Sequence, residues 1–521
     1  MAENPFPTAG PALNAYRRSR ELTALGDDPD IDLLVIGGGV TGAGVALDAV
    51  TRGLRTVLVE RHDLAHGTSR WSSKLVHGGL RYLASGKVAI AHESAVERGI
   101  LLRRTAPHLV RPLPQLVPLL PEIGFATRAL IRAGFLAGDA LRAGAGTPGA
   151  LLPRSRRVTR AEALRLAPTV RQHGLRGGLQ AWDGQLVDDA RLVVALARTA
   201  AAHGATVLTR VAAEEATGDG AVLRDTLTGE TLTLRARAVV NATGVWADQV
   251  DTRIELRPSR GTHLVFDAAA FGGLTAALTV PVPGTVGRFI FALPAPHGRV
   301  YLGLTDEDAP GPVPDEPRPT GTEIDFLLDT VNTVLRIPLT HSDIRGSYAG
   351  LRPLLRTADD STADISREHA VLTAPDGLVT VVGGKLTTYR RMAQDAVDTA
   401  VAAAGLPVGP CRTRALPLAG AVGGVARDRL AAPQLLIERY GAEAPAVVAL
   451  AAANPGLAEP VAPGADVLGA EFAWSLEQEG ALDAADLLDR RTRIGLVPAD
   501  RTAALAAAEA AVARFTARDQ A

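Results

Sequence analysis

Apolar positions in this chain gather into short runs that end on small residues. Asp32–Ile36 (DLLVI) is an apolar stretch of strand length that runs straight into Gly37–Gly44 (GGGVTGAG). That is the pattern of a parallel strand covered on both faces. Val45–Arg52 then reads as a helix, Gly53 stops it, and Thr56–Val59 is a second strand closing on Glu60. Two later segments repeat the shape: Ala238–Gly244 (AVVNATG), followed by Trp246, and Val379–Lys385 (VTVVGGK), leading into a helix from Thr387. Val207–Val211, ahead of Ala212–Glu215, is a further candidate strand. Alternating strands and helices predict an α/β fold.

Elsewhere the pattern changes. Gly124–Ala143 sets Phe125, Leu130, Ile131, Phe135, Leu136 and Leu141 among Arg128, Arg132 and Arg142. Such a basic amphipathic helix either packs on its own domain or lies in a membrane interface. Asp308–Pro319 is a Pro- and acid-rich loop that hands over to a helix through a capping box, Thr320-x-x-Glu323. From Cys411 the chain is Ala-rich and helical, with a loop at Asn454–Asp466. The predicted organisation is an N-terminal segment (1–30), a discontinuous Rossmann-like domain (31–110, 181–255 and 345–405), a mixed-sheet cap (111–180 and 256–344) and a C-terminal helical domain (411–521).

The first strand and its glycines carry chemistry. Gly37, Gly39 and Gly42 fit G-x-G-x-x-G. The first glycine allows a tight turn, the second lets backbone approach a pyrophosphate, and the third lets helix and strand pack closely. Glu60, at the end of the next strand, is placed to accept from a ribose hydroxyl. This fingerprint alone leaves NAD and FAD open. The two later strand-to-glycine endings point to a nucleotide domain assembled from distant pieces, which favours a flavin. In the loop after Glu60, Thr68 and Ser69 can bind phosphate or ribose oxygens. Ser72, Ser73 and Lys74 offer further donors, and Gly78 and Gly79 let backbone lie against a flat ring. Val211 is placed to approach an adenine.

Composition narrows the rest. With 55 Lys+Arg against 56 Asp+Glu in 521 residues, bulk charge gives no reason to bind nucleic acid. The single Cys411 excludes an intrachain disulfide and a cysteine zinc cluster, and no metal site is read from the sequence. Only Lys74, Lys87 and Lys385 are lysines, which flags positions where a compact ammonium matters. Met1–Asp30 lacks the apolar core of a signal peptide, and no uncharged run can form a spanning helix.

Gly67–Tyr82 (GTSRWSSKLVHGGLRY), taken with GGGVTGAG, closely resembles the FAD-dependent glycerol-3-phosphate dehydrogenases. The resemblance runs on through SRGTHLVF, GLTDED, YAGLRPL, ISREH, GGKLTTYRRMA and the C-terminal EFAWSLEQEGALDAADLLDRRTR. Ala295 and Leu304 stand where the family usually has Trp and Thr. The resemblance implies FAD held by Gly37, Gly39, Thr41, Gly42, Glu60, Thr68, Ser69, Ser73, Lys74, His77, Gly78 and Gly79. It adds Val211, Ala242, Thr243, Gly244, Trp246, Gly383, Gly384, Lys385, Leu386 and Thr387 to that set.

It also implies oxidation of sn-glycerol 3-phosphate at C2, with Arg81, Tyr82, Arg352, Arg367 and Lys385 around the substrate. Arg352, Lys385, His77 and His263 are the catalytic candidates, the two histidines competing for the role of base. Electrons would pass to a quinone, from a peripheral position on the cytoplasmic face of the cell membrane, or to oxygen. A homodimer is compatible with this reading. Two alternatives differ in substrate or class: an amine or 2-hydroxy-acid oxidoreductase of the same fold, and an RNA-binding flavoprotein of tRNA modification.

Overall fold

The computed structural model describes residues 12–79, 86–285, 287–356 and 369–519. Arg81, Tyr82 and Arg367 lie outside them. The strand Asp30–Ile36 sits at the centre of the first sheet, parallel to Thr231–Asn241 on one side and Thr56–Glu60 on the other. Thr206–Thr209 and Val379–Gly383 extend the parallel order outward, and His369–Thr373 closes it as an antiparallel edge. Successive side chains of a strand point to opposite faces. Leu33 and Val35 accordingly join a core with the helices Val40–Thr51, Asp189–Ala202 and Tyr389–Ala404. Leu34 and Ile36 join a second core on the other face with Val57, Val59, Val239 and the hairpin residue Leu223.

The predicted strand Val207–Val211 is broken. Arg210 takes a left-handed conformation (φ 58°), its N–H donates to the His62 carbonyl, and its guanidinium pairs with Asp483 and Asp486. Val211 therefore opens the next strand, Val211–Thr217, with its side chain buried in the second core.

The second sheet is mixed. Its spine is an antiparallel pair of twelve-residue strands, Leu256–Asp267 and Ile344–Leu355, whose register sets Ser259 opposite Arg352 and His263 opposite Tyr348. The strand Ile344–Leu355 was expected in the nucleotide-binding part, within 345–405, yet it pairs in this sheet. The sheet also takes in Leu75–Val76 and runs to Leu186 in Gly178–Leu186. Leu264 and Phe266 pack outward on a core with Leu278, Ile290 and Leu327 from the helix Gly321–Asn332. Ser259, Gly261 and His263, of the opposite parity, face the nucleotide-binding side. The capping box holds: Thr320 Oγ1 accepts from the Glu323 N–H at 3.3 Å, and the Glu323 carboxylate accepts from the Thr320 N–H at 2.9 Å.

Beyond Cys411 the helices Gln434–Tyr440, Ala444–Ala453, Gly469–Gln478 and Pro498–Asp519 form the expected helical domain. Buried arginines tie it to the rest, among them Arg191 on Glu479 at 2.6 Å and Arg491 on Asp63 at 2.7 Å.

Candidate active site

The C-terminal ends of the parallel strands lie side by side, Ile36 beside Asn241 and Val59, at the edge whose crevice binds ligands in open α/β sheets. Gly37 sits at φ 111°, and a Cβ there would lie 2.6 Å from the Ala242 carbonyl oxygen. A Cβ on Gly42 would fall on the Gly37 carbonyl oxygen, so this glycine lets helix and strand touch. Gly39 differs: a Cβ there would meet only Ser69 Oγ, at 3.1 Å. It is the N-cap of Val40–Thr51, whose first turn holds no acidic residue. A helix end that is positive by its dipole and open at the glycine fits a pyrophosphate. Thr41 lies half-buried in the same turn.

Glu60 ends its strand beside this turn and accepts from the Gly38 N–H at 2.7 Å and the His62 N–H at 2.8 Å. Burial pushes its carboxyl pKa up against those hydrogen bonds. Ala242 donates its N–H to Ile36, Thr243 Oγ1 bonds the Asn241 side chain at 2.6 Å, and the Trp246 ring lies 2.7 Å from where a Gly67 Cβ would be. Gly383, Gly384, Lys385 and Leu386 close the rim, all half-exposed, with Thr387 buried behind them. Open glycine, helix end, strand-end carboxylate and small-residue rim together suit FAD.

The loop from Gly67 to Gly79 joins this rim to the second sheet. Ser69 Oγ accepts from the Val40 N–H at 2.9 Å, Thr68 Oγ1 donates to the Leu351 carbonyl at 2.6 Å, and Ser73 Oγ lies 2.8 Å from His263 Nε2. Lys74 is 1% exposed, its ammonium is 3.1 Å from Asp189 and bonds the Arg70 and Ser72 carbonyls, and it stands 4.8 Å from the Tyr348 ring centroid. Its ammonium is spent on this interior ion pair.

Gly78 and Gly79 are also buried. A Cβ on Gly78 would collide with the Arg98 guanidinium, and one on Gly79 would sit 3.0 Å from Ala91. These glycines make room for the helix Val88–Ile100. Asp183 pins the pair, accepting from the Gly78 N–H at 3.0 Å and from Arg98 at 2.6 Å. His77 is half-exposed just before them.

On the sheet side, Arg352 Nη1 bonds both Asp306 and Ser259 at 3.0 Å, and Nη2 bonds the Thr305 carbonyl at 3.1 Å. A Cβ on Gly261 would collide with that guanidinium. Next along the same face, the His263 ring stacks on Tyr348 with centroids 4.7 Å apart. Burial, with Lys74 and Arg352 nearby, holds the His263 pKa well below the ordinary histidine value. The imidazole is therefore neutral, and its buried Nδ1 has no hydrogen-bond partner among the described residues. Lys385 Nζ bonds Ser94 Oγ at 3.1 Å. Ser94, Ser259 and Asp306 were not singled out in the sequence. Asp306 lies within GLTDED and Ser259 within SRGTHLVF, so both motifs contained the signal.

Comparison with known proteins agrees with this geometry. Residues 32–390 match the FAD dependent oxidoreductase family, and residues 411–518 match the C-terminal domain of alpha-glycerophosphate oxidase. The chain is 59% identical over 510 residues to glycerol-3-phosphate dehydrogenase 1 of Mycobacterium tuberculosis, covering 96% of this chain and 99% of that protein. Identity to a mitochondrial glycerol-3-phosphate dehydrogenase of Arabidopsis thaliana is 36% over 551 residues, covering 95% and 84%. The glycerol-3-phosphate dehydrogenase of Bacillus halodurans, solved with FAD, superposes with a TM-score of 0.70 at 29% identity over 97% of both chains. An L-alpha-glycerophosphate oxidase from Mycoplasma pneumoniae shares the fold at a TM-score of 0.57 and 19% identity, over 75% of this chain and 99% of that one. The glycine turn, the carboxylate at the strand end and these matches lead to one assignment: the chain belongs to the FAD-dependent oxidoreductases.

Proposed function

We propose that the protein oxidises sn-glycerol 3-phosphate at C2 to dihydroxyacetone phosphate and hands the electrons to a quinone at a membrane surface. The observation that carries the substrate is Arg352, a half-buried guanidinium fixed by three acceptors on the face that also presents His263. A pre-oriented planar fork suits a phosphate dianion. Arg81 and Arg367 join it in this reading, with Tyr82 as a further polar contact.

His263, its imidazole held neutral by burial and 2.8 Å from Ser73 Oγ, is the candidate to take the proton of the C2 hydroxyl. His77 is the alternative base. Lys385, held on Ser94, stands at the rim to meet substrate oxygen or negative charge. FAD, when bound, supplies the hydride acceptor.

The helix Phe125–Gly144 supports the membrane part. Its outward face carries no charge: Phe125 is 86% exposed, Leu130 51% and Leu136 50%, with Ala126, Ala129 and Ala133 exposed between them and Ala140 one turn on. The arginines expected to form its polar face turn inward instead. Arg128 caps the Ile123 and Leu120 carbonyls, Arg132 bonds Ser155, and Arg142 is buried on the Thr147 carbonyl. No described helix is long and apolar enough to cross a membrane. An exposed apolar face of this kind suits shallow insertion from one side. The match of residues 411–518 to an oxidase domain favours a second reading, with oxygen as acceptor.

One experiment separates them. With glycerol 3-phosphate in excess, turnover on a soluble quinone analogue should exceed turnover on oxygen by about tenfold or more. Anionic vesicles should retain the enzyme, and the double variant Leu130→Glu, Leu136→Glu should release it. Rapid peroxide formation without vesicle binding would make the protein an oxidase. Loss of a dimer in the double variant, with no vesicle binding by either protein, would assign the helix to a second copy of the chain.

A further inference from the structure

We propose that the C-terminal domain shapes the cofactor loop, with Arg491 and Arg493 as positioning residues for FAD that act through Asp63 and the Arg70 carbonyl. The inference rests on FAD lying in the crevice described above. The loop from Arg61 to Lys74 forms one wall of that crevice. On its front, the Ala65 N–H donates to the Gly38 carbonyl at 3.0 Å, and Ser69 holds the Val40 N–H. On its back, buried charge from the C-terminal domain holds it.

Asp63 is 0% exposed. Its carboxylate takes Arg491 Nη1 at 2.7 Å and Nη2 at 2.9 Å, and Arg490 Nε at 2.7 Å. Seven residues along the loop, the Arg70 carbonyl accepts from Arg493 Nη2 at 2.6 Å, while Arg493 Nε pairs with Asp188 at 3.1 Å. Arg70 in turn reaches back to the His66 carbonyl at 2.8 Å. The Arg493 guanidinium also lies 5.2 Å from the Trp71 ring centroid. Two points of the loop, Asp63 and the Arg70 carbonyl, are thus held by three C-terminal arginines, Arg490, Arg491 and Arg493.

A buried carboxylate that loses its partners is strongly unfavourable, so the loop cannot keep this shape without the domain. Elsewhere the interface works differently. Arg198 makes a two-bond pair with Glu443, at 2.6 and 2.8 Å, on the helix Asp189–Ala202 and away from the loop. That pair joins the same two parts of the chain without touching the crevice wall. It provides the control for a merely structural role.

The test is the FAD dissociation constant of the full-length apoenzyme, read by flavin fluorescence, beside its melting temperature. Arg491→Met should weaken FAD by about tenfold or more, whereas Glu443→Gln should lower the melting temperature and leave the constant within about twofold. An unchanged constant in Arg491→Met overturns the proposal. So does an equal weakening in Glu443→Gln, because domain docking in general would then explain it. Should Arg491→Met not fold, Arg491→Lys keeps a charge on Asp63 but gives up the fork, with an expected weakening of about three- to fivefold. An unchanged constant there overturns the proposal equally.

Discussion

Arg352→Met is expected to lower kcat/KM for glycerol 3-phosphate by about 30- to 5,000-fold, equivalent to about 2–5 kcal/mol of transition-state stabilisation. The side chain is 22% exposed, and Asp306, Ser259 and the Thr305 carbonyl set the plane of its guanidinium before substrate arrives. A group oriented in advance loses little freedom on binding, so its removal is felt in full. The fold should survive. Backbone pairing of Leu256–Asp267 with Ile344–Leu355 does not use this side chain, and Asp306 keeps Ser259 Oγ at 2.6 Å. Glycerol, which has no phosphate, serves as the control substrate, and its much lower rate should change little. Equal losses on both substrates, with FAD content intact, would remove Arg352 from phosphate recognition.

Gly39→Val should abolish FAD binding while sparing the apoprotein, with affinity falling by about a hundredfold or more. Gly39 has φ −79° and ψ −177°, an extended conformation that a β-branched residue adopts readily. The only described neighbour of a new Cβ is Ser69 Oγ at 3.1 Å. The valine would therefore fill the space in front of the helix end, not the protein interior. The melting temperature of the apoenzyme should hold to within about 2 °C. Gly42→Ala is the contrasting variant, because its Cβ falls on the Gly37 carbonyl oxygen and should damage the turn itself. Stoichiometric FAD in purified Gly39→Val protein would show that the pyrophosphate lies elsewhere.

What the sequence made legible was local. The glycine turn, Glu60, the strand ends at Asn241 and Gly383 and the Thr320 capping box each depend on neighbours within a few residues. What it hid was set by partners far along the chain. Arg352 is matched to Asp306 and Ser259, and neither separation leaves a periodic signal. Lys74 stood out by its rarity, but its left-handed backbone (φ 55°) turns it towards Asp189, a contact no motif announces. The polar pattern of Phe125–Gly144 correctly marked a helix and misplaced its arginines, because Arg128 folds back on carbonyls ahead of its own first turn. The placement of Ile344–Leu355 followed from chain order, whereas its sheet was decided by its pairing with Leu256–Asp267.

FAD in this crevice should be reduced by glycerol 3-phosphate. Anaerobic addition of glycerol 3-phosphate to the purified holoenzyme tests it most directly, followed through the visible absorbance of the oxidised flavin. Full bleaching is expected within the time of a few turnovers, with one equivalent of dihydroxyacetone phosphate formed per flavin. An oxidised spectrum that persists under excess glycerol 3-phosphate, in enzyme whose flavin dithionite still reduces, would contradict it.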